Sequence, residues 1–433
     1  MSPLFSIVIP TRNRADTLRY TLQTCLEQDY DDYEIVVCDN SDNDATAELI
    51  SEIAHVRIKY VKPPEALAMS ANWELGVRSA KGRYVTVLGD DDGLCSYALR
   101  EAAALIAHFG DVDALRWGRC IYTWPSLRVA RWANRLWGIN LVKSVERVDM
   151  HERLKRAAKI EVMPDSLPMI YCSFVNRRML EQLRELTGQV FGHRIPDIYS
   201  AYAIGFLARD CLDLAVPLSV AGISHNSNGM AQLYDPDAKE IVEDFTNLNA
   251  RAGLTFHPAV PQEDTVWTPI HDAYLSARDR LFRNDPQFDL DLRAILLQHR
   301  NSIPLKPEER RHRLIEAVRV SIAHDAELLA WFDALPAKGD VDWAELTPTS
   351  FGLHGTSLSL DTSRIGVANI LDVVRLVGAL VGDDGKPFHY PATTVLEPIV
   401  TEPTAVVEPP VTPIAPPPPA LRRSWLQRLW VSR

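Results

Sequence analysis

The stretch GDDDG, Gly89 to Gly93, sets three carboxylates in succession directly behind the apolar run YVTVL. Like charges on adjacent residues repel, so the cluster asks for a positive partner. Aspartate oxygens are hard ligands suited to Mg2+ or Mn2+. Such an ion is usually held by one or two carboxylates together with the phosphate oxygens of a substrate. A metal held that way neutralises charge building on a diphosphate leaving group. The same residues would also make a solvated loop in which Asp92 caps the next helix.

Two more polar clusters end apolar runs in the same region. After FSIVIP comes TRNR, where Thr11, Asn13 and Arg14 offer hydroxyl, amide and guanidinium groups suited to a nucleobase edge and a phosphate. An ordinary helix entry capped by Thr11 or Asn13 is the competing account. After YEIVV comes CDNSDND, where the Asp39 carboxylate is an acceptor for a base N–H or a ribose hydroxyl, or else the start of an Asx turn. Further on, GISHNSNG presents His225 after another apolar run, either as a ligand completing a metal shell or touching a phosphate, or as a surface-loop histidine. No G-x-G-x-x-G follows the first run, and G-x-x-x-x-G-K-[ST], G-x-S-x-G and H-E-x-x-H are absent. Dinucleotide redox and P-loop chemistry are therefore disfavoured.

The elements that position these residues alternate. FSIVIP, YEIVVCD, VRIKYV and YVTVLG read as strands. Between and after them, RADTLRYTLQTCLEQ, DATAELISEI (with Asp44 as cap), AMSANWELGVRSA (with Gly82 as stop) and CSYALREAAALIAHF read as helices. Continuous apolar strands separated by helices predict an α/β fold with a mostly parallel sheet flanked by helices. Ligands bind beyond the carboxyl ends of such strands, so TRNR, CDNSDND and GDDDG should share one rim.

From residue 111 the pattern is mixed: DALRWGRCIYTW reads as a strand, VNRRMLEQLREL as a helix and LAVPLSVAGISH as an apolar run. Residues 236 to 335 read as helical, with NILDVVRLVGAL closing the folded part. Ten of residues 391–420 are proline, an extended spacer leading to ALRRSWLQRLWVSR. Tryptophan with arginine in that last segment suits a membrane surface or a protein partner. The net charge of −11 argues against nucleic acid as a partner. The six cysteines show no metal-knuckle spacing and read as buried free thiols of a reducing, cytoplasmic compartment. Neither a secretory leader nor a membrane-spanning run is visible.

Taken together and in order, SIVIPTRNR, EIVVCDNSDNDAT and NWELGVRSAKGRYVTVLGDDD resemble family 2 glycosyltransferases of GT-A fold, over roughly residues 4 to 110. The resemblance implies that Pro10, Thr11 and Asp39 frame the nucleobase and that Asn72 lies near the nucleotide. It places Asp90 on the ribose and Asp91 on Mn2+ or Mg2+. The family motif more commonly begins with Asp where this chain has Gly89, which leaves open which two of Asp90, Asp91 and Asp92 serve ribose and metal. PDIYSAY resembles the segment carrying the acceptor-side acid, implying Asp197 as general base; capping of the helix after Pro196 is the alternative.

The implied activity is inverting transfer from a nucleotide-sugar donor, UDP-linked, to a glycan or lipid-linked acceptor in cell-surface polysaccharide synthesis, at the inner face of the membrane. A sugar-phosphate nucleotidyltransferase is the rival enzyme, though PTRNR lacks the glycines of its phosphate loop. A non-catalytic transferase-like scaffold is the third possibility. The expected organisation is a nucleotide-sugar half (1–110), an acceptor half (111–235), a mainly helical C-terminal region (236–390) and a Pro-rich linker with a basic, tryptophan-containing end (391–433).

Overall fold

The run FSIVIPT is almost wholly buried and shows no polar alternation, as a strand covered on both faces must. In the computed structural model, which describes residues 2–233, 235, 237–263, 265, 267–282, 285–303, 308–336 and 350–390, it forms β1 (Phe5–Thr11). On one side β1 pairs in parallel with β2 (Tyr33–Asp39), beyond which lies β3 (Ile58–Val61). On the other side it pairs in parallel with β4 (Tyr84–Val87). The next strands are β5 (Gly93–Leu94), β6 (Ala114–Trp117), β7 (Cys120–Thr123), β8 (Arg135–Asn140) and β9 (Val145–Val148). They are followed by β10 (Ser173–Asn176), β11 (Cys211–Leu214), β12 (Ser219–Ile223), β13 (Gly352–His354) and β14 (Ser357–Asp361). An eight-stranded sheet runs β3-β2-β1-β4-β10-β6-β11-β9, and a six-stranded sheet runs β13-β14-β8-β7-β12-β5.

The α/β expectation holds, with a more mixed sheet than the alternation suggested. β10 is antiparallel to both of its neighbours, and β9 is antiparallel to β11. Two predicted single runs also divide. DALRWGRCIYTW becomes β6 and β7, and LAVPLSVAGISH runs from the last residue of β11 through β12, with each pair shared between the two sheets. β4 and β5 divide in the same way, with Asp90–Asp92 between them. The aspartates therefore lie where the chain passes from one sheet to the other.

Helices Ala15–Leu26, Ala45–Ile53, Met69–Ser79 and Ala98–Phe109 fall where the sequence places them. Their ends differ in detail. Asp44 occupies the N-cap position without a side-chain cap bond, and Asn43 Oδ1 accepts from Ala45 N–H at 3.1 Å instead. Gly82 lies past the helix end at Ser79; it is small because a Cβ there would meet Ser6 N at 2.5 Å.

Helices Lys239–Arg251, Thr268–Ala277, Leu292–Ser302, Glu308–Ser321 and Ala326–Ala334 account for the helical region. Part of it has a small core of its own, built from Leu296, Val318, Ile322, Leu328 and Phe332. The β13–β14 pair, unforeseen in the sequence, extends the second sheet through β8. Helix Ile370–Val381 starts at Asn369, whose Oδ1 accepts from Leu371 and Asp372 N–H. It covers β5 so closely that a Cβ on Gly93 would meet Val374 at 2.5 Å.

All six cysteines are buried and unbridged. Among the described residues no helix is long and apolar enough to cross a membrane. Residues 391–433, with the expected linker and basic end, lie outside the described residues.

Candidate active site

The register of the parallel strands brings the rim together. Thr11 is the direct partner of Asp39, and β4 ends just before the aspartates. Thr11 Oγ1 donates to Asp90 Oδ2 at 2.7 Å, and Arg14 Nη1 donates to Asp90 Oδ1 at 2.7 Å. Arg14 also stands 3.7 Å from Asp91 Oδ2 and donates to the Asn226 carbonyl. Burial opposes the Arg14 charge, but Asp90 and Asp91 outweigh it and push its pKa up. Burial likewise raises Asp90, with Arg14 acting against it. The positive partner demanded by the triplet is thus supplied in part by the chain itself.

The three aspartates have distinct environments. Asp92 latches the loop: its oxygens accept from Gly89 N–H at 2.7 Å and Gly222 N–H at 2.6 Å. Asp91 Oδ2 accepts from both the N–H (3.1 Å) and the hydroxyl (2.6 Å) of Ser224, while its other oxygen has no hydrogen-bond partner among the described residues. Gly89 leaves room for Tyr171, since a Cβ at 89 would lie 2.6 Å from the Tyr171 hydroxyl. An aspartate at that position would collide with it.

One cavity of about 880 Å3 opens on these groups. Pro10, Thr11, Arg14, Asn72, Asp90, Asp91 and Asp197 all line it; Asp39 and His225 are not among the lining residues. Asp39 is sealed beneath the rim, with Oδ1 accepting from Ser41 N–H at 2.9 Å and Oδ2 from the Tyr60 hydroxyl at 2.6 Å. Its neighbours Asn40 and Asp42 reach the cavity instead. Asn72 is buried, and its Nδ2 donates to the Cys38 carbonyl at 3.2 Å. Its Oδ1 has no hydrogen-bond partner among the described residues. A buried acceptor facing no donor costs about 1–3 kcal/mol unless a ligand answers it.

Asp197 enters from the second half, in the first turn of helix Pro196–Leu207. Burial raises its pKa, against the opposing effects of the Ile198 N–H and the Arg119 charge. A carboxylate so raised is a better proton acceptor near neutral pH. Sequence reasoning missed Arg119, Tyr171 and Asp244, all on the cavity wall. Arg119 lies in the two-residue break between β6 and β7. Asp244, on helix Lys239–Arg251, takes a two-pronged contact from Arg12 at 2.7 and 2.9 Å, so the helical region forms one side of the site.

His225 Nε2 points toward Asp16 at 3.9 Å, and its buried Nδ1 has no partner among the described residues. Among the described residues, no group of three His, Cys, Asp or Glu side chains is arranged to hold a metal.

The latch has a sharp steric requirement. A Cβ on Gly222 would run into the Asp91 carbonyl and stand 2.8 Å from Trp124 Nε1. Gly222→Ala should therefore push the aspartate loop off β12 and destabilise the fold by about 1–3 kcal/mol. Denaturant melts of the pair would check this; an unchanged midpoint would show that the loop can yield.

Strand-end rim, aspartate loop and sheet order can now be set beside known proteins. Residues 6–153 match the family model of glycosyl transferase family 2. The matched segment contains the rim and the aspartates but stops short of Asp197. Over 89 residues the chain is 35% identical to the Escherichia coli UDP-Glc:alpha-D-GlcNAc-diphosphoundecaprenol beta-1,3-glucosyltransferase WfaP, covering 21% of this chain and 36% of that protein. Over 100 residues it is 34% identical to the GalNAc(5)-diNAcBac-PP-undecaprenol beta-1,3-glucosyltransferase of Campylobacter jejuni, covering 22% and 32%. The chain thus spans about a third of the length of these curated relatives. Among solved structures, S. aureus TarS 1-349 in complex with UDP-GlcNAc aligns over 77% of this chain and 88% of its own, at 15% identity and a TM-score of 0.42.

Proposed function

We propose that the protein is a glycosyltransferase that moves a sugar from a UDP-linked donor to a hydroxyl of a lipid-linked glycan. One observation carries this reading: a single cavity is lined both by the family-2 rim (Thr11, Arg14, Asp90, Asp91) and by Asp197 from the second half. The names of the relatives support the UDP donor and the diphosphate-lipid acceptor.

In this scheme residues 1–110 hold the nucleotide and residues 111–235 the acceptor. Pro10 and Thr11 border the nucleobase, and the Asn72 Oδ1 takes a donor hydrogen from the nucleotide. Asp39 acts from below by fixing the turn that presents Asn40 and Asp42. Asp90, oriented by Thr11 and Arg14, faces the ribose. Asp197 takes the proton of the acceptor hydroxyl as its oxygen attacks the anomeric carbon, and the bond from that carbon to the diphosphate breaks. Attack opposite the leaving group inverts the anomeric centre. Arg14 is a cation already in place for the departing diphosphate.

Mn2+ or Mg2+ fits the donors present, because Asp91, on the cavity wall, keeps an oxygen with no hydrogen-bond partner among the described residues. Asp91, with phosphate oxygens, would hold the ion, which would supply positive charge to the leaving group; His225 is not among the residues lining that cavity. Arg119 is the cation on the acceptor side, suited to an acceptor phosphate. We place the enzyme at the inner face of the membrane through its acceptor; the proposed contact through the tail falls outside the described residues.

A panel of nucleotide sugars tests this reading by thermal shift with Mn2+. UDP-sugars at a hundred times Kd should add about 2.7 kcal/mol of stability and be slowly hydrolysed. A panel in which no nucleotide sugar raises the melt or is consumed would remove the reading.

A further inference from the structure

The loop that delivers Asp197 is held from the opposite side by the helical region. It begins where Gly188, at φ +81°, ends helix Arg177–Thr187. Its first part is pinned by Glu74, which accepts from Val190 N–H at 2.7 Å. Its second part turns on His193, which is 3% exposed. His193 Nδ1 accepts from Ile195 N–H at 3.1 Å, so a neutral ring carries its proton on Nε2. That Nε2 stands 2.9 Å from Asp272 Oδ2, in ion-pair contact but not aligned as a hydrogen bond.

Asp272 sits on helix Thr268–Ala277 and is completely buried. Its Oδ1 accepts from His257 N–H at 2.8 Å, and Arg194 Nε stands 3.6 Å from its Oδ2. Arg194 in turn lies over the Phe256 ring at 3.6 Å. Pro269 and Ile270, on the same helix as Asp272, line the cavity together with Ile195 and Asp197. One continuous path thus runs from the helix, through Asp272, His193 and the Ile195 N–H, to the residue two positions before Asp197.

We propose that Asp272 and His193 are positioning residues that fix the Asp197 carboxylate against the acceptor, and that the helical region after residue 236 serves the reaction through them. This rests on the reading of Asp197 as the base. The placement explains why a fully buried carboxylate and a buried imidazole are kept facing each other, although a well-packed apolar pair would often be as stable. A side chain one ångström out of place can cost about a hundredfold in rate.

The test uses the full chain and three measurements: single-turnover transfer, UDP affinity by calorimetry and the thermal melt. Asp272→Asn keeps the shape and the acceptor for His257 N–H but removes the charge. His193→Gln keeps an N–H donor for Asp272 but removes the Nδ1 acceptor of the Ile195 N–H, so it breaks the path at its other contact, leaves Asp272 its Arg194 neighbour, and covers the case in which the first variant does not fold. Each should slow transfer about 10- to 100-fold with UDP affinity unchanged within about twofold.

The double variant Asp197→Asn/His193→Gln should be no slower than Asp197→Asn alone, because positioning acts through the base. Multiplied losses in the double variant would mark a general structural role and overturn the proposal. So would a normal rate in a folded His193→Gln protein beside an inactive Asp197→Asn. If Asp197→Asn itself keeps its rate, the base assignment fails first and the positioning role falls with it.

Discussion

Asp197→Asn should lower the single-turnover transfer rate by roughly 10²- to 10⁴-fold, the usual weight of general-base catalysis. The substitution is nearly isosteric and cannot accept a proton. Nucleotide affinity should stay close to normal, since the proposed nucleotide contacts lie at the ends of β1, β2 and β4. The alternative role is structural, because Asp197 sits in the first turn of helix Pro196–Leu207. Asparagine serves a helix N-terminus nearly as well as aspartate, so a capping role predicts that rate and melt both survive.

The pH profile separates the two roles further. Burial raises the Asp197 pKa, so its proton-accepting form is lost as pH falls through a value above the ordinary carboxylate range. The acid limb of the rate should lie there and should vanish from the residual rate of the asparagine variant. A folded variant with near-normal turnover would take Asp197 out of the mechanism.

Asp91→Asn should be the second large loss, about 10²-fold or more in turnover, corresponding to several kcal/mol of leaving-group stabilisation. Of the three aspartates, Asp92 is spent on Gly89 and Gly222, and Asp90 on Thr11 and Arg14. Asp91 alone of the three has an oxygen without a hydrogen-bond partner among the described residues, while Ser224 holds the other. An asparagine can still accept from Ser224 N–H, so the fold should persist. Titration of Mn2+ into the UDP-bound protein should show weakened metal binding in the variant. Equal metal affinity together with near-normal turnover would move the metal assignment away from Asp91.

The first hundred residues were legible because their signals are local. Apolar runs gave β1 to β4, and parallel pairing then forces Thr11, Asp39 and the aspartates toward one edge. What each side chain does there was less legible. Asp39 is an acceptor in sequence, but Tyr60, from β3, and the Ser41 N–H use both its oxygens. Nothing near residue 92 announces Gly222, and nothing near residue 197 announces Asp272. Such pairings are set by how the two sheets and the later helices pack, which leaves no period in the chain. The break at Gly118–Arg119 was hidden for another reason: a strand that ends in one sheet and restarts in the other still reads as one apolar run. The absence of Asp at 89 was visible in sequence, yet its cause, the Tyr171 hydroxyl, lies eighty-two positions away.

The latch also orders events in time. Asp92 closes onto Gly222 across 130 residues, and Asp91 onto Ser224 across 133. At the usual ribosomal pace of roughly 5–20 residues per second, the aspartates leave synthesis about 7 to 26 s before their partners exist. Until then the loop is a solvated, strongly anionic stretch, which favours solubility over premature collapse. A chain interrupted before residue 222 therefore has the rim but no fixed centre. The proposed competence to use a sugar nucleotide arrives late in synthesis, when the second sheet receives β12.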